Sequence, residues 1–379
     1  MKTTLREAAG SLLVVGLSGT ELTALERAWL KLVRPGGVIL FRRNIAEVKQ
    51  TRALLDSASA LCAINAFRFV DVEGGTVDRL KDALAPVPSA QAVAKAELAL
   101  AIPHGMQGGG KPAARSLAFE HGSLIARGVR AFGFNTTLAP VMDLALPDSA
   151  KVMGTRSPAE TAASVVKYAR AFLAGLKTEG EAGCGKHFPG LGGGRLDSHH
   201  ETPEIQRSWR DLWNEDLVPY RELNNELPMV MVNHASYPRT MGGGRPASVS
   251  KYWVSTVLRK RIGYKGIVFS DDLEMGGILK FMPIDAAAVE ATHAGIDLME
   301  ICHSPELILR AYEALLTEGE RSPAFARLLI ARAHRTAKAK ARLFTNEISK
   351  GPTPRQFEAL RSRVLGFGEM VMNLQERQA

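Results

Sequence analysis

The stretch GIVFSDD, residues 266–272, holds a whole structural unit in seven letters. Ile267, Val268 and Phe269 are apolar on consecutive positions, which predicts a strand covered on both faces, as in a parallel sheet between layers. The run then stops at two carboxylates, Asp271 and Asp272. Outward from it the pattern repeats. Short β-rich apolar runs at 11–17, 37–41, 67–72, 136–141, 182–187, 229–234 and 296–302 alternate with amphipathic helical patterns at 21–32, 45–61, 117–131, 158–176, 209–224, 251–262, 286–294 and 305–316. Eight such units predict an α/β fold of the (β/α)8 TIM-barrel type, closed when the last strand pairs with the first. A doubly wound open sheet is the alternative, and no GxGxxG follows the first strand, where a dinucleotide fold needs it.

The connection 80–116 is longer than an ordinary βα loop, and Pro86, Pro88, Pro103 and glycines 108–110 predict a partly helical excursion. Past Leu316, the basic residues Arg321, Arg327, Arg332, Arg335, Lys338, Lys340 and Arg342 predict a solvated helix on the barrel's outside. The organisation expected is one catalytic barrel domain over residues 1–345, with a helical extension, 346–379, packed on it.

Composition narrows the class of protein. With 379 residues, 46% hydrophobic and 23% charged, the chain is globular, and disorder and collagen are excluded. Lys and Arg (48) outnumber Asp and Glu (39) for a net charge of +9, but the signs interleave, which argues against nucleic acid as a partner and leaves acidic small ligands open. Cys62, Cys184 and Cys302 lie far apart without zinc-type spacing and read as reduced core residues. No apolar run approaches the roughly 18 residues of a membrane span. Lys2 and Arg6 before the apolar residues 12–17 resemble a signal peptide, yet Glu7 interrupts the basic segment and the same residues are needed as the first strand. A cytoplasmic location is expected.

Polar side chains gather where the predicted strands end, the end at which barrels build their sites. Strand three ends in Asp71, then Glu73, Gly74, Gly75 and Arg79; strand five in Lys186 and His187; strand six in Asn233 and His234; strand seven in Asp271 and Asp272. Structural ion pairing is the competing explanation for each charge, and His234 reads equally as a core histidine. After strand five comes KHFPGLGGGRLDSHHETPE, residues 186–204. Its glycines predict a mobile loop able to fold over a ligand. In an extended segment Asp197 and His199 project to one side, so the carboxylate can orient and protonate the imidazole, an acid/base dyad. His187, His199, His200 and His234 lack a carboxylate at ligand spacing, and no metal is expected.

Taken in order, GGVILFRRN (36–44), VDVEGGTVDRL (70–80), GFNTTLAPVMDL (133–144), GTRS (154–157), GKHFPG (185–190) with DSH (197–199), and VFSDDLEM (268–275) resemble the bacterial β-N-acetylglucosaminidases of glycoside hydrolase family 3, the NagZ type, over nearly the whole chain. The resemblance implies a retaining glycosidase with Asp271 as nucleophile, His199 as acid/base and Asp197 as the partner of that histidine. It implies that Asp71, Arg79, Arg156, Lys186 and His187 line the sugar pocket, with no metal or organic cofactor. By the same likeness, the substrate is a small saccharide or muropeptide in cytoplasmic cell-wall recycling, with 1,6-anhydro-N-acetylmuramic acid as leaving sugar, and the enzyme is a monomer. The chain departs from the family pattern at Leu191, usually His, and Thr76, usually Arg, both near the pocket.

Cleavage of a β-glycosidic bond through an oxocarbenium-like transition state needs an anion beneath the anomeric carbon and an acid at the leaving oxygen. Asp271 and His199 suit these tasks; Glu73 is the rival nucleophile, and Asp272 is expected to point to the opposite side as an orienting group. Arg156 is expected to contact ligand, or else to pair with Asp71 or Asp143. A histidine acid repels phosphate less than a carboxylate would, so phosphorolysis is an alternative, as is a broader β-glucosidase. From other classes come a Schiff-base lyase built on Lys186 and a non-catalytic barrel that binds sugar or, through residues 321–342, nucleic acid.

Overall fold

The computed structural model describes residues 3–101, 116–194, 202–344 and 350–377. Eight parallel strands close into a barrel: β1 (Leu13–Gly16), β2 (Gly37–Leu40), β3 (Phe67–Val70), β4 (Thr136–Thr137), β5 (Ala182–Phe188), β6 (Met229–Val232), β7 (Ile267–Asp272) and β8 (Leu298–Ile301). Each pairs with its sequence neighbours, and β8 closes the ring on β1 through Leu13 opposite Met299 and Val15 opposite Ile301. The expected barrel is present, with strands trimmed at their ends. β4 is the shortest because Pro140 cannot donate to a ladder; the chain rejoins the sheet at Val141, bridged to Lys186.

Period-two alternation sorts the strand residues into two cores. Ile39, Phe67, Phe69, Ala182, Cys184, Met229, Met231, Ile267, Phe269 and Leu298 fill the barrel, where the Phe69 ring stacks on Phe269 with centroids 5.0 Å apart. The residues between them, such as Val38, Leu40, Val230, Val232 and Val268, pack outward beneath the helices. Local chemistry fixes how the helices attach. Thr23 and Glu26 form a reciprocal cap on the helix Ala24–Val33, and the same Glu26 carboxylate accepts from the Ser18 amide, tying the end of β1 to its helix. The helices Leu117–Ala131 and Ala162–Thr178 touch backbone to backbone: a Cβ on Gly122 would lie 2.1 Å from the Phe172 carbonyl oxygen.

The excursion after Leu80 is partly helical as expected, containing the helix Ala90–Ala101, while two other segments depart from the sequence expectation. Residues 209–224 form short pieces, Trp209–Asp211, Leu212–Asp216 and Val218–Glu222, because Pro219 interrupts the amide series and the turn before it widens, Leu217 N donating to Leu212 O at 2.8 Å. The basic stretch forms the expected helix, Pro323–Leu343, with Arg327, Arg335, Lys338 and Arg342 exposed, but its inner face serves as the barrel's floor. Lys340 is buried in it, its Nζ donating to Gly36 O at 2.7 Å and lying 5.1 Å from the Phe67 ring centre, and Phe344 meets Phe67 edge-on. Arg332 and Arg335 join Arg259 around the buried carboxylate of Asp297.

Beyond residue 349 the helix Pro354–Glu376 runs along the outside of the barrel, burying Val364, Phe367 and Val371, with Arg363 paired to Glu120 and Gln375 donating to Ala92 O. No helix among the described residues is long and apolar enough to cross a membrane.

Candidate active site

The alternation that fills the barrel also delivers the site. Two residues past the inward Phe69, Cys184 and Leu298 stand Asp71, Lys186 and Glu300, so the same inward positions turn from apolar to charged at the C-terminal mouth. Charges there are gathered into one mesh. Lys186 Nζ lies 2.7 Å from both Asp71 Oδ1 and Glu73 Oε1, while Arg156 grips Glu73 with Nε and Nη2, each at 2.8 Å. The side chains of Lys186 and Glu73 are only 3% and 2% exposed, so these pairs act across a poorly screened interior. Burial by itself would raise the Glu73 carboxyl, but the Arg156 and Lys186 cations outweigh it and hold it far below the usual carboxylate range. Arg156 therefore pairs with Glu73, not with Asp71 or Asp143, and Glu73, the rival nucleophile, is locked between two cations.

Glu73 reaches this position on a small antiparallel hairpin, Val72–Gly74 against Val77–Asp78. Its tight turn needs glycine: Gly74 has φ 91°, and a Cβ there would meet the Pro88 carbonyl oxygen at 2.1 Å.

Asp143, at the end of the extended segment after β4, orders the opposite wall. Its Oδ2 accepts from His187 Nδ1 at 2.7 Å and from the His187 amide at 3.1 Å, while Oδ1 accepts from Leu191 N at 2.7 Å. Holding Nδ1 leaves His187 Nε2 facing Arg156 Nη2 at 3.3 Å. Leu191, one of the two departures from the family pattern, is buried and contributes only its amide to this network.

Asp271 stands where β7 and β8 fall out of step. Leu298 is opposite Phe269 but Glu300 is opposite Asp272, so β7 has one extra residue over that span. Simple alternation would turn Asp272 away from Asp271. The bulge cancels that rule: Asp272 is half-buried, donates its amide to Asp271 Oδ1 at 3.0 Å, and faces Cys302, whose thiol donates to Glu300 Oε1 at 2.9 Å. Burial pushes the Asp271 carboxyl up, yet the imidazoles of His187 and His234, the Asp272 amide and Lys186 overcome it and hold the group below its ordinary value, ionised. Asp272 is shifted the other way, up to about 7, by burial and by Glu274 and Asp271 nearby.

The mouth thus assembles Asp71, Arg156, Lys186, His187 and Asp271 from four strand ends or the loops that follow them. Arg79 joins the rim. Its amide donates to Asp71 O at 3.1 Å, its guanidinium lies 5.7 Å from the Phe41 ring centre, and its buried Nε has no partner among the described residues. Asp197, His199 and His200 lie outside the described residues. The ends of their loop are anchored, with Gly194 N donating to Leu191 O at 2.9 Å and Thr202 Oγ1 to Gly277 O at 2.6 Å, just past the Asp271 strand. His234 donates from Nε2 to Asp272 O at 2.9 Å and pairs with Ser248 Oγ through Nδ1 at 2.7 Å, as a residue tied into the core would.

Sequence reading missed two groups. Asp143 appeared only as a possible partner of Arg156, and Glu300 was not singled out, although a carboxylate inside the apolar run LMEIC is itself a signal. Among the described residues, Asp272, Glu274 and His303 have ligand atoms within 4.8 Å of one another, close enough for a cation. Glu274 already accepts the amides of Cys302, His303 and Ser304 where the helix Pro305–Arg321 begins, so its oxygens serve as a helix cap.

Comparison with known proteins places this geometry in context. Residues 4–333 match the sequence profile described as the glycosyl hydrolase family 3 N terminal domain. The β-hexosaminidase of Alkalilimnicola ehrlichii is 37% identical over 297 residues, covering 78% of this chain and 82% of that protein. Among solved structures, a family 3 β-N-acetylglucosaminidase from Paenibacillus sp. str. FPU-7 superposes with a TM-score of 0.81 at 30% identity, over 96% of this chain and 68% of that one. Native NagZ from Neisseria gonorrhoeae gives 0.73 at 29% identity, over 94% and 97%.

Proposed function

Because this chain belongs to glycosyl hydrolase family 3, we propose that it is a retaining β-N-acetylglucosaminidase that releases terminal β-linked N-acetylglucosamine, acting in the cytoplasm on peptidoglycan-recycling fragments that end in 1,6-anhydro-N-acetylmuramic acid. The observation that carries this reading is Asp271: a carboxylate at the C-terminal end of β7, kept ionised by the cationic and hydrogen-bonding groups around it, where a glycosidase needs its nucleophile.

In this mechanism an Asp271 oxygen bonds to the anomeric carbon as the bond to the leaving oxygen breaks, and protonated His199 gives its proton to that oxygen. His199, then neutral and oriented by Asp197, takes a proton from water. The hydroxide oxygen bonds to the same carbon, and the Asp271 ester breaks to regenerate the carboxylate. Retention follows from two inversions. Asp71, Arg79 and Lys186, with Arg156 and His187 behind them, hold the sugar hydroxyls and the acetamido group.

The test is mechanism-based labelling with a fluorinated N-acetylglucosaminyl donor and peptide mapping. Label on Asp271 establishes nucleophile and retention together; label on Glu73 or Asp272 overturns the assignment. Hydrolysis of an aryl β-N-acetylglucosaminide in preference to the aryl β-glucoside establishes the sugar. Appearance of N-acetylglucosamine 1-phosphate in phosphate buffer would replace hydrolysis with phosphorolysis.

A further inference from the structure

Glu300 is a carboxylate with no place in the mechanism above, and its surroundings are unusual. It points into the barrel from β8, is 4% exposed, and its Oε2 has no hydrogen-bond partner among the described residues. Its other oxygen, Oε1, accepts the Cys302 thiol at 2.9 Å. Its backbone brackets the bulge that carries Asp271: the Glu300 amide donates to Ser270 Oγ at 3.2 Å, and its carbonyl accepts from Leu273 N at 2.9 Å. The Cys302 side chain also faces the Asp272 carboxylate, and the Asp272 amide donates to Asp271 Oδ1. A continuous chain of contacts thus runs from the Glu300 side chain through Cys302 and Asp272 to Asp271.

We propose that Glu300 is a positioning residue for Asp271, bracing it through Cys302 and the Asp272 amide. The inference rests on the glycosidase reading given above and adds a residue to it. The charges that face Glu300 favour the neutral form. Asp71 just past β3 and Asp271 and Asp272 on β7 are acidic, Cys184 and Cys302 are thiols, and Lys186 on β5 is already shared by Asp71 and Glu73. Lys186 and Arg156 are already set against Asp71 and Glu73, so an ionised Glu300 would add a buried negative charge without a partner. Burial, reinforced by Asp272 and Asp71, pushes its carboxyl well above the ordinary value.

The experiment compares Glu300→Gln, Glu300→Leu, Cys302→Ala and the Glu300→Leu/Cys302→Ala double variant on an aryl β-N-acetylglucosaminide, with thermal melts to show that each is folded. Gln keeps a neutral polar group, so kcat stays within about threefold of wild type; Leu removes the brace and lowers kcat about tenfold or more, with KM little changed because the sugar contacts are untouched. If the brace runs through the thiol, adding Cys302→Ala to Glu300→Leu costs no more than about twofold further. Full additivity, a raised KM at constant kcat, or a Gln variant as impaired as Leu overturns the proposal. Infrared difference spectra of wild type against Glu300→Gln read the protonation without substrate: a carboxylic-acid carbonyl band lost in the variant is expected, and its absence refutes the neutral acid. An inactive wild type would count against the glycosidase reading alone, because the infrared measurement would still stand.

Discussion

Arg156 meets Glu73 edge to edge, Nε and Nη2 each 2.8 Å from a different carboxylate oxygen, across 83 residues of sequence. The pair makes Glu73 a fixed counter-ion for Arg156 and Lys186 rather than a free nucleophile. Removal of each acid should therefore leave a different kinetic trace. Asp271→Ala is expected to lose roughly a thousandfold or more in kcat and to regain activity with azide, which fills the vacated position and yields a glycosyl azide. Glu73→Ala should also be impaired, because it strands Arg156 and leaves Lys186 with Asp71 alone, but azide should not rescue it. Rescue of Glu73→Ala with glycosyl azide as product would reverse the two assignments.

Asp143 spends both oxygens on three donors: the His187 imidazole, the His187 amide and the Leu191 amide. Asn at this position would present an NH2 group to one of them. We expect Asp143→Asn to lower kcat/KM by about a hundredfold through misplacement of His187 and of the loop that starts at Leu191. Steady-state kinetics on a folded variant checks this; an unchanged kcat/KM would mean that His187 and the loop need no such support.

Asp78 accepts from the amides of Leu80 and Val87 at 3.0 and 3.1 Å, and burial pushes its carboxyl up to about 6. In the unfolded chain the group titrates near ~3.9. Between these values the folded protein holds the proton and the unfolded chain does not, so the contribution of this group to stability falls as pH rises across that window. Asp78→Asn cannot ionise. Urea unfolding at the two ends of the window should show the gap between wild type and variant moving by about 3 kcal/mol in the variant's favour. A gap independent of pH would show that Asp78 ionises normally in the fold.

Asp297 is the buried anion on which Arg259, Arg332 and Arg335 converge, and its Oδ2 also accepts from the Val268 amide at the start of the nucleophile strand. Asp297→Ala leaves guanidinium groups without their counter-charge and is expected to cost about 3–5 kcal/mol. Calorimetry measures it directly. A loss under a tenth of that range would mean that water compensates the arginines.

Parts of this architecture could be read from the chain because their causes are local. The helix Leu117–Ala131 was located to the residue, since Ser116 caps its first turn and its apolar spacing is unbroken. The apolar runs ended in charge wherever a strand reached the mouth, so Asp71, Lys186, His187 and Asp271 were selected correctly as neighbours. The rest depends on pairings that no local window contains. Nothing near Arg156 says that its partner is Glu73 rather than Asp71. The bulge that turns Asp272 back toward Glu300 arises from the register of β7 against β8, a property of two strands at once. Lys340 read as a surface charge because the groups that receive it, Gly36 O and the Phe67 ring, come from the first quarter of the chain.

The stacked Phe69 and Phe269 rings, with Phe67 and Phe344 below them, leave the barrel axis filled from floor to mouth. The axis therefore offers no passage, and a ligand approaching along it meets side chains only at the mouth, where Asp71, Lys186 and Asp271 stand.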